Sequence, residues 1–118
     1  MDTRKKILYI ADTTPFENSI ARENLDFVMM LASFEVDVSI VFVDTGILQL
    51  LNTEHDKIQT RAFTPVLASF KHYDINDLYV LDTSLKQFKL TKNQLICSVK
   101  IITSNQFKDL MSQFDYIF

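Results

Sequence analysis

Residues 36–51 read Val36-Asp37-Val38-Ser39-Ile40-Val41-Phe42-Val43-Asp44-Thr45-Gly46-Ile47-Leu48-Gln49-Leu50-Leu51, and their pattern decides the fold class. The first half begins in alternation, turns wholly apolar, and stops at Asp44-Thr45-Gly46. A short apolar run bounded by turn residues marks a strand covered on both faces, as in parallel sheets. Toward the amino terminus, Ile7-Leu8-Tyr9-Ile10-Ala11 is a second such run, stopped by Asp12-Thr13-Thr14-Pro15. Between the two, Asn18 or Ser19 can cap a helix in which Ala21, Leu25, Val28, Met29 and Ala32 recur at i, i+4, i+7, i+8 and i+11. Arg22, Glu23 and Asp26 fall mainly off that stripe, so the unit reads β-α-β.

Beyond Gly46, Ile47-Leu48-Gln49-Leu50-Leu51 is too short for an independent helix, and the polar residues 52–59 read as a surface loop. Thr64-Pro65 fits an N-cap and first helical position, with Val66, Leu67, Phe70 and Tyr73 as that helix's apolar stripe. Residues 74–77 turn the chain into a third strand, Leu78-Tyr79-Val80-Leu81, which ends at Asp82-Thr83-Ser84 before a short segment around Leu85 and Phe88. Residues 96–102 read as a fourth strand. Thr103 and Gln106 then form a capping box ahead of Phe107, Leu110, Met111 and Phe114, and Tyr116-Ile117-Phe118 reads as a short fifth strand. This alternation predicts one α/β domain over residues 1–118, with three layers, a mostly parallel five-stranded sheet, helices on both faces and right-handed crossovers.

Composition excludes several classes of function. The 118 residues are 47% apolar, enough for a single core that needs no disulfide, and ten Phe and four Tyr make that core or some interface unusually aromatic. One glycine, Gly46, rules out G-x-G-x-x-G and Walker A loops, which need several glycines where backbone amides meet a phosphate. One cysteine, Cys97, rules out an internal disulfide, a C-x-x-C redox pair and a cysteine-rich zinc site, and points to a cytoplasmic location. Arg4-Lys5-Lys6 leads into an apolar stretch too short for a secretory signal, and no run approaches the roughly 20 residues of a spanning helix. The net charge of -3 gives no broad phosphate-binding face, so direct nucleic-acid contact is not expected.

Asp12, Asp44 and Asp82 all fall at carboxyl ends of strands, where ligands of open α/β sheets usually sit. One reading is a receiver-like signalling domain, with a cation in an acidic pocket at Asp12 and Asp82 and with Asp82 as phosphate acceptor. The residues beside Asp12 are Ala11 and Thr13 rather than a second acid, and no lysine follows the fifth strand. The other reading is turn chemistry, in which aspartates stop strands by bonding nearby backbone; it explains all three. Cys97 as an autonomous sulfur carrier would need an exposed, activated thiolate, whereas its place early in an apolar strand suits a small buried hydrophobe. His55 and His72 have no partner at metal-ligand spacing, and Ser84 lacks the G-x-S-x-G frame. Lys86, Lys89, Lys92 and Lys100 can meet a phosphate or an acidic protein face, or form a solvated rim. No catalytic residue, cofactor site or metal site is assigned.

Several stretches together resemble the DsrE/DsrF/DsrH-like sulfur-relay family, and within it the TusC/DsrF type of subunit. They are Arg22-Glu23-Asn24-Leu25-Asp26, Phe42-Val43-Asp44-Thr45-Gly46-Ile47-Leu48-Gln49-Leu50-Leu51, Phe70-Lys71-His72-Tyr73-Asp74-Ile75, Ser84-Leu85 and Phe114-Asp115-Tyr116-Ile117, in family order across nearly the whole chain. The resemblance implies a subunit of a heterohexamer built from two copies each of three similar chains, with TusB/DsrH-like and TusD/DsrE-like partners. Such an assembly passes persulfide sulfur toward a TusE-like acceptor and a tRNA-thiolating enzyme, for 2-thiolation of the wobble uridine, or serves a dissimilatory sulfur route. The family's carrier cysteine belongs to the TusD/DsrE-type subunit, just after its third strand. The matching stretch here, from Tyr79 to Leu85, holds no thiol, and Cys97 does not match that position. The resemblance thus implies a non-catalytic scaffold, in which the aromatic residues and the run Ile47-Leu48, Leu50-Leu51 are candidates for subunit contact.

Overall fold

Neighbouring residues of a strand point to opposite faces, so a run such as Leu8-Tyr9-Ile10-Ala11 is stable only where both faces are covered. The computed structural model, which describes residues 5–13, 20–34, 36–50, 70, 75, 77–95 and 99–118, provides that cover. Its strands are β1 (Lys6–Ala11), β2 (Asp37–Phe42), β3 (Leu78–Leu81), β4 (Lys100–Ile102) and β5 (Tyr116–Ile117). Its α-helices are α1 (Ile20–Ala32), α2 (Asp82–Gln87) and α3 (Ser104–Met111), with 3-10 helices at Asp44–Leu50 and Lys92–Gln94. The sheet runs β4-β3-β2-β1-β5, with every pair parallel.

On one face Tyr9, Ala11, Val38, Ile40, Phe42, Leu78 and Val80 meet Leu25 and Val28 of α1, Ile47 and Leu50 of the first 3-10 helix, and Leu85 of α2. On the other, Leu8, Val41 and Val43 meet Phe107, Leu110 and Met111 of α3 together with Phe114. The chain is therefore the three-layer α/β structure its pattern predicts. The layers are unequal because the steps from β1 to β4 all move one way across the sheet and only the step from β4 to β5 returns. With right-handed crossovers, a reversed step puts its helix on the opposite face. That helix is α3, eight residues long with none of them fully buried, so among the described residues its face of the sheet is thinly covered.

Two segments differ from the expectation of a short irregular run. Asp44–Leu50 is a 3-10 helix, and Ile47 and Leu50 are fully buried in this domain's own core, so neither is a subunit contact. The residues after β3 form a true helix, α2, which ends in a Schellman motif. Lys89 takes φ 54°, its N–H donates to the Lys86 carbonyl (3.1 Å), and the Leu90 N–H donates to Leu85 (2.9 Å). The Thr103 capping box forms as predicted: the Gln106 N–H donates to Thr103 Oγ1 (3.2 Å), and the Thr103 N–H donates to Gln106 Oε1 (2.8 Å). The Asn18/Ser19 cap, the 52–59 loop, residues 96–98 of the fourth strand and the Thr64–Tyr73 helix lie outside the described residues, apart from Phe70, which is buried.

Candidate functional site: the carboxyl ends of the strands

The turns that leave β1, β2 and β3 meet at one end of the sheet and are tied together by short polar contacts. The Val43 N–H donates to the Ala11 carbonyl (3.0 Å), and the Gly46 N–H donates to Val43 (2.9 Å). Thr45 Oγ1 donates to the Asp12 carbonyl (3.0 Å), and Gln49 Nε2 to the Thr13 carbonyl (2.8 Å). From the third strand's side, the Asp44 N–H donates to Ser84 Oγ (2.8 Å). The 3-10 helix is thereby pressed against the end of β1: a Cβ on Gly46 would stand 1.8 Å from the Ala11 carbonyl oxygen. Asp44 sits at φ 50°, a left-handed conformation that aspartate tolerates better than most residues. The stretch from Asp44 to Gln49 is thus a clasp joining three strand ends.

Within this clasp several buried polar atoms find no hydrogen-bond partner among the described residues: Tyr9 Oη, Thr13 Oγ1, Gln49 Oε1 and Asp82 Oδ1. Burial raises the Tyr9 pKa above its ordinary value and the charge of Asp12 raises it further, while the nearby Asn24 and Thr13 side chains pull the other way. Asn24 and Thr13 lie close enough to act on the hydroxyl electrostatically, without completing a hydrogen bond of good geometry. The phenol is therefore held neutral against Phe118, whose ring centroid lies 5.0 Å away. The clasp residues Gly46, Gln49 and Ser84 act here through backbone contact and burial.

The sequence-predicted aspartates all stand at this end of the sheet. Asp12 and Asp44 are exposed at the ends of their strands, and Asp82 opens α2, where a carboxylate suits the positive end of the helix dipole. Among the described residues, no three of His, Cys, Asp and Glu come close enough together to hold a metal ion. Ser84 is 1% exposed, and its hydroxyl accepts the Asp44 N–H. Cys97, His55 and His72 lie outside the described residues. Lys86, Lys89, Lys92 and Lys100 are exposed, and Lys100 is engaged with Asp77 (3.7 Å) and with the Tyr79 ring (5.8 Å to its centroid). Among the described residues, no helix is long and apolar enough to cross a membrane.

One feature that sequence reading missed lies on α1. Besides the buried stripe, Ile20, Phe27 and Met30 recur at i, i+7 and i+10, Phe34 follows in the turn after the helix, and all four are exposed. At about 100° per residue the three helical positions fall within roughly a quarter turn, nearly opposite the stripe that enters the core. The spacing was present in the sequence, but the core stripe satisfied the helix pattern and the second stripe went unread.

A parallel sheet of this order, with most of the described helices on one face and a clasp at the strand ends, defines a class of small α/β domains. The chain is 14% identical to the YchN protein of E. coli, whose crystal structure superposes with a TM-score of 0.75 and covers 97% of both chains. Residues 5–118 match the DsrE/DsrF-like family, and the chain belongs to that family. It is 30% identical over 116 residues to a TusC homolog of Haemophilus influenzae, covering 96% of this chain and 98% of the relative. It is 28% identical over 129 residues to the intracellular sulfur oxidation protein DsrF of Allochromatium vinosum, covering 97% and 95%.

Proposed function

We propose that this chain is a non-catalytic, structural subunit of a cytoplasmic sulfur-relay assembly. It joins TusB/DsrH-like and TusD/DsrE-like chains in a heterohexamer that supports 2-thiolation of the tRNA wobble uridine. The similarity to a TusC homolog and to DsrF over nearly the full chain supports the family setting. The observation that carries the non-catalytic role is Ser84. A relay step requires a thiolate to attack the outer sulfur of a donor persulfide, breaking its S–S bond and releasing the donor thiolate. The stretch after β3 offers instead a buried alcohol already occupied by a backbone N–H of the neighbouring turn. Its part there is to hold the β2 turn in place. Sulfur then travels on a sister chain, and this subunit shapes and stabilises the assembly.

The test is to purify the tagged chain from its own cells, determine the native mass, identify the small chains that accompany it, and assay every cysteine for persulfide. The expected result is two similar partners, one of them persulfidated, with undiminished thiolation when this chain carries Cys97→Ser. A persulfide on Cys97, or recovery of the chain as a lone monomer, would refute the proposal.

A further inference from the structure

Charge is segregated along this chain. From Thr83 to Lys108 there are five lysines and no acidic residue, and all 15 Asp and Glu lie outside that stretch, so the net charge of -3 hides a basic region. Three of these lysines share one short segment. Lys86 lies in the last turn of α2, Lys89 is the left-handed residue that closes it, and Lys92 opens the second 3-10 helix. Phe88 and Leu90 between them pack against the core, while Lys86, Gln87, Lys89, Lys92 and Asn93 are exposed. Turns fix the backbone that carries them: the Lys89 N–H donates to Lys86, and the Thr91 N–H donates to Gln94 Oε1 (2.8 Å) in a capping box. Among the described residues these three lysines have no acidic partner, whereas Lys100 meets Asp77 (3.7 Å).

We infer that Lys86, Lys89 and Lys92 form a contact for the phosphate backbone of a folded RNA. The choice of RNA rests on the tRNA setting proposed above, and the contact itself on the make-up of the segment. Lysine is depleted at protein–protein interfaces, whose centres are aromatic, whereas Lys, Asn and Gln side chains are what meets phosphate oxygens. The one ring of the segment, Phe88, is packed against the core, so no platform is offered on which an unpaired base could stack. Paired RNA met through its backbone therefore suits the segment better than a single strand. Lys89 points the same way. At φ 54° a residue other than glycine carries a conformational cost, which an exposed side chain does little to offset by packing, and a cation between Lys86 and Lys92 gives that position a use.

The test is an anisotropy titration of a fluorescent, unmodified tRNA transcript with the full chain, purified from its own cells with the chains that accompany it, over about 50–200 mM salt. Each phosphate contact contributes about 0.7–0.9 to the slope of log K against log salt. Lys86→Gln, Lys89→Gln and Lys92→Gln should each reduce the magnitude of that slope by about 1. The triple variant should reduce it by about 2–3 and weaken binding about ten-fold or more at the low-salt end, alike for tRNAs of different sequence, with thermal unfolding unaltered. Lys108→Gln, on α3 at the other face of the sheet, should change neither slope nor affinity. An unchanged slope in the single and triple variants would overturn the contact while leaving the subunit role standing. An equal loss with Lys108→Gln would reduce the effect to net charge and overturn it as well. Loss of an accompanying chain from the triple variant, with RNA affinity retained, would assign the segment to an acidic protein face instead. A lone monomer that still loses tRNA with the three lysines would refute the subunit role and leave the RNA contact in place.

Discussion

At Gly46 a single methyl group has nowhere to go. Its Cβ would stand 1.8 Å from the Ala11 carbonyl oxygen and 2.9 Å from Asp12 Cα, both backbone atoms that cannot swing aside. Gly46→Ala is therefore expected to cost about 3 kcal/mol or more, at the upper end of overpacking effects, read as a lowered denaturant midpoint. Tyr9 makes the opposite kind of prediction. Its buried hydroxyl has no hydrogen-bond partner among the described residues, so Tyr9→Phe should be neutral or stabilise by up to about 1 kcal/mol at pH 7. The folded pKa is raised by burial, so the unfolded tyrosine ionises first, near its ordinary value of about 10. The stability contribution is complete below that pH and is lost as pH rises toward the folded pKa. Chemical denaturation at pH 7 and pH 10.5 should show a smaller alkaline loss in Tyr9→Phe than in the unaltered chain. Tyr79 is also raised by burial, though it is only partly buried, and leaves a residual slope.

Among the elements, α2 offers the plainest gain. Lys89 holds a left-handed backbone at φ 54° to close the helix, at a position where glycine carries no Cβ penalty. Lys89→Gly should stabilise by about 0.5–1 kcal/mol, visible as a rise in Tm, with the Leu85 and Leu90 contact to the core preserved. The elements also show what could be read in advance. Strands β1, β2 and β3 announced themselves because their apolar runs stop at aspartate-led turns, and α3 because Thr103 and Gln106 cap it reciprocally. The 3-10 helix at Asp44–Leu50 and the six-residue α2 were illegible as helices: each is too short for periodicity, and tertiary contact with the end of β1 and with the core shapes them.

For the whole molecule, the layer order followed from alternation, since four parallel steps admit few arrangements once crossovers are right-handed. The thinness of the α3 face did not, because it depends on the sheet order β4-β3-β2-β1-β5 and on a single return connection. The candidate site was legible only in part. Asp44, Gly46 and Gln49 stood out in the sequence, yet their shared work of clasping strand ends depends on partners, Ala11, Thr13 and Ser84, that lie up to 40 positions away. The β5 edge carries a further consequence. The Lys6 N–H bonds Asp115 Oδ2 at 2.8 Å across 109 positions of chain, so this strand closes the longest loop in the fold and gains nothing until β1 is already seated. The Phe118 ring therefore reaches Tyr9 and Phe27 only when that long loop has closed. A polypeptide stalled at four strands leaves the Tyr9 side of β1 without that ring.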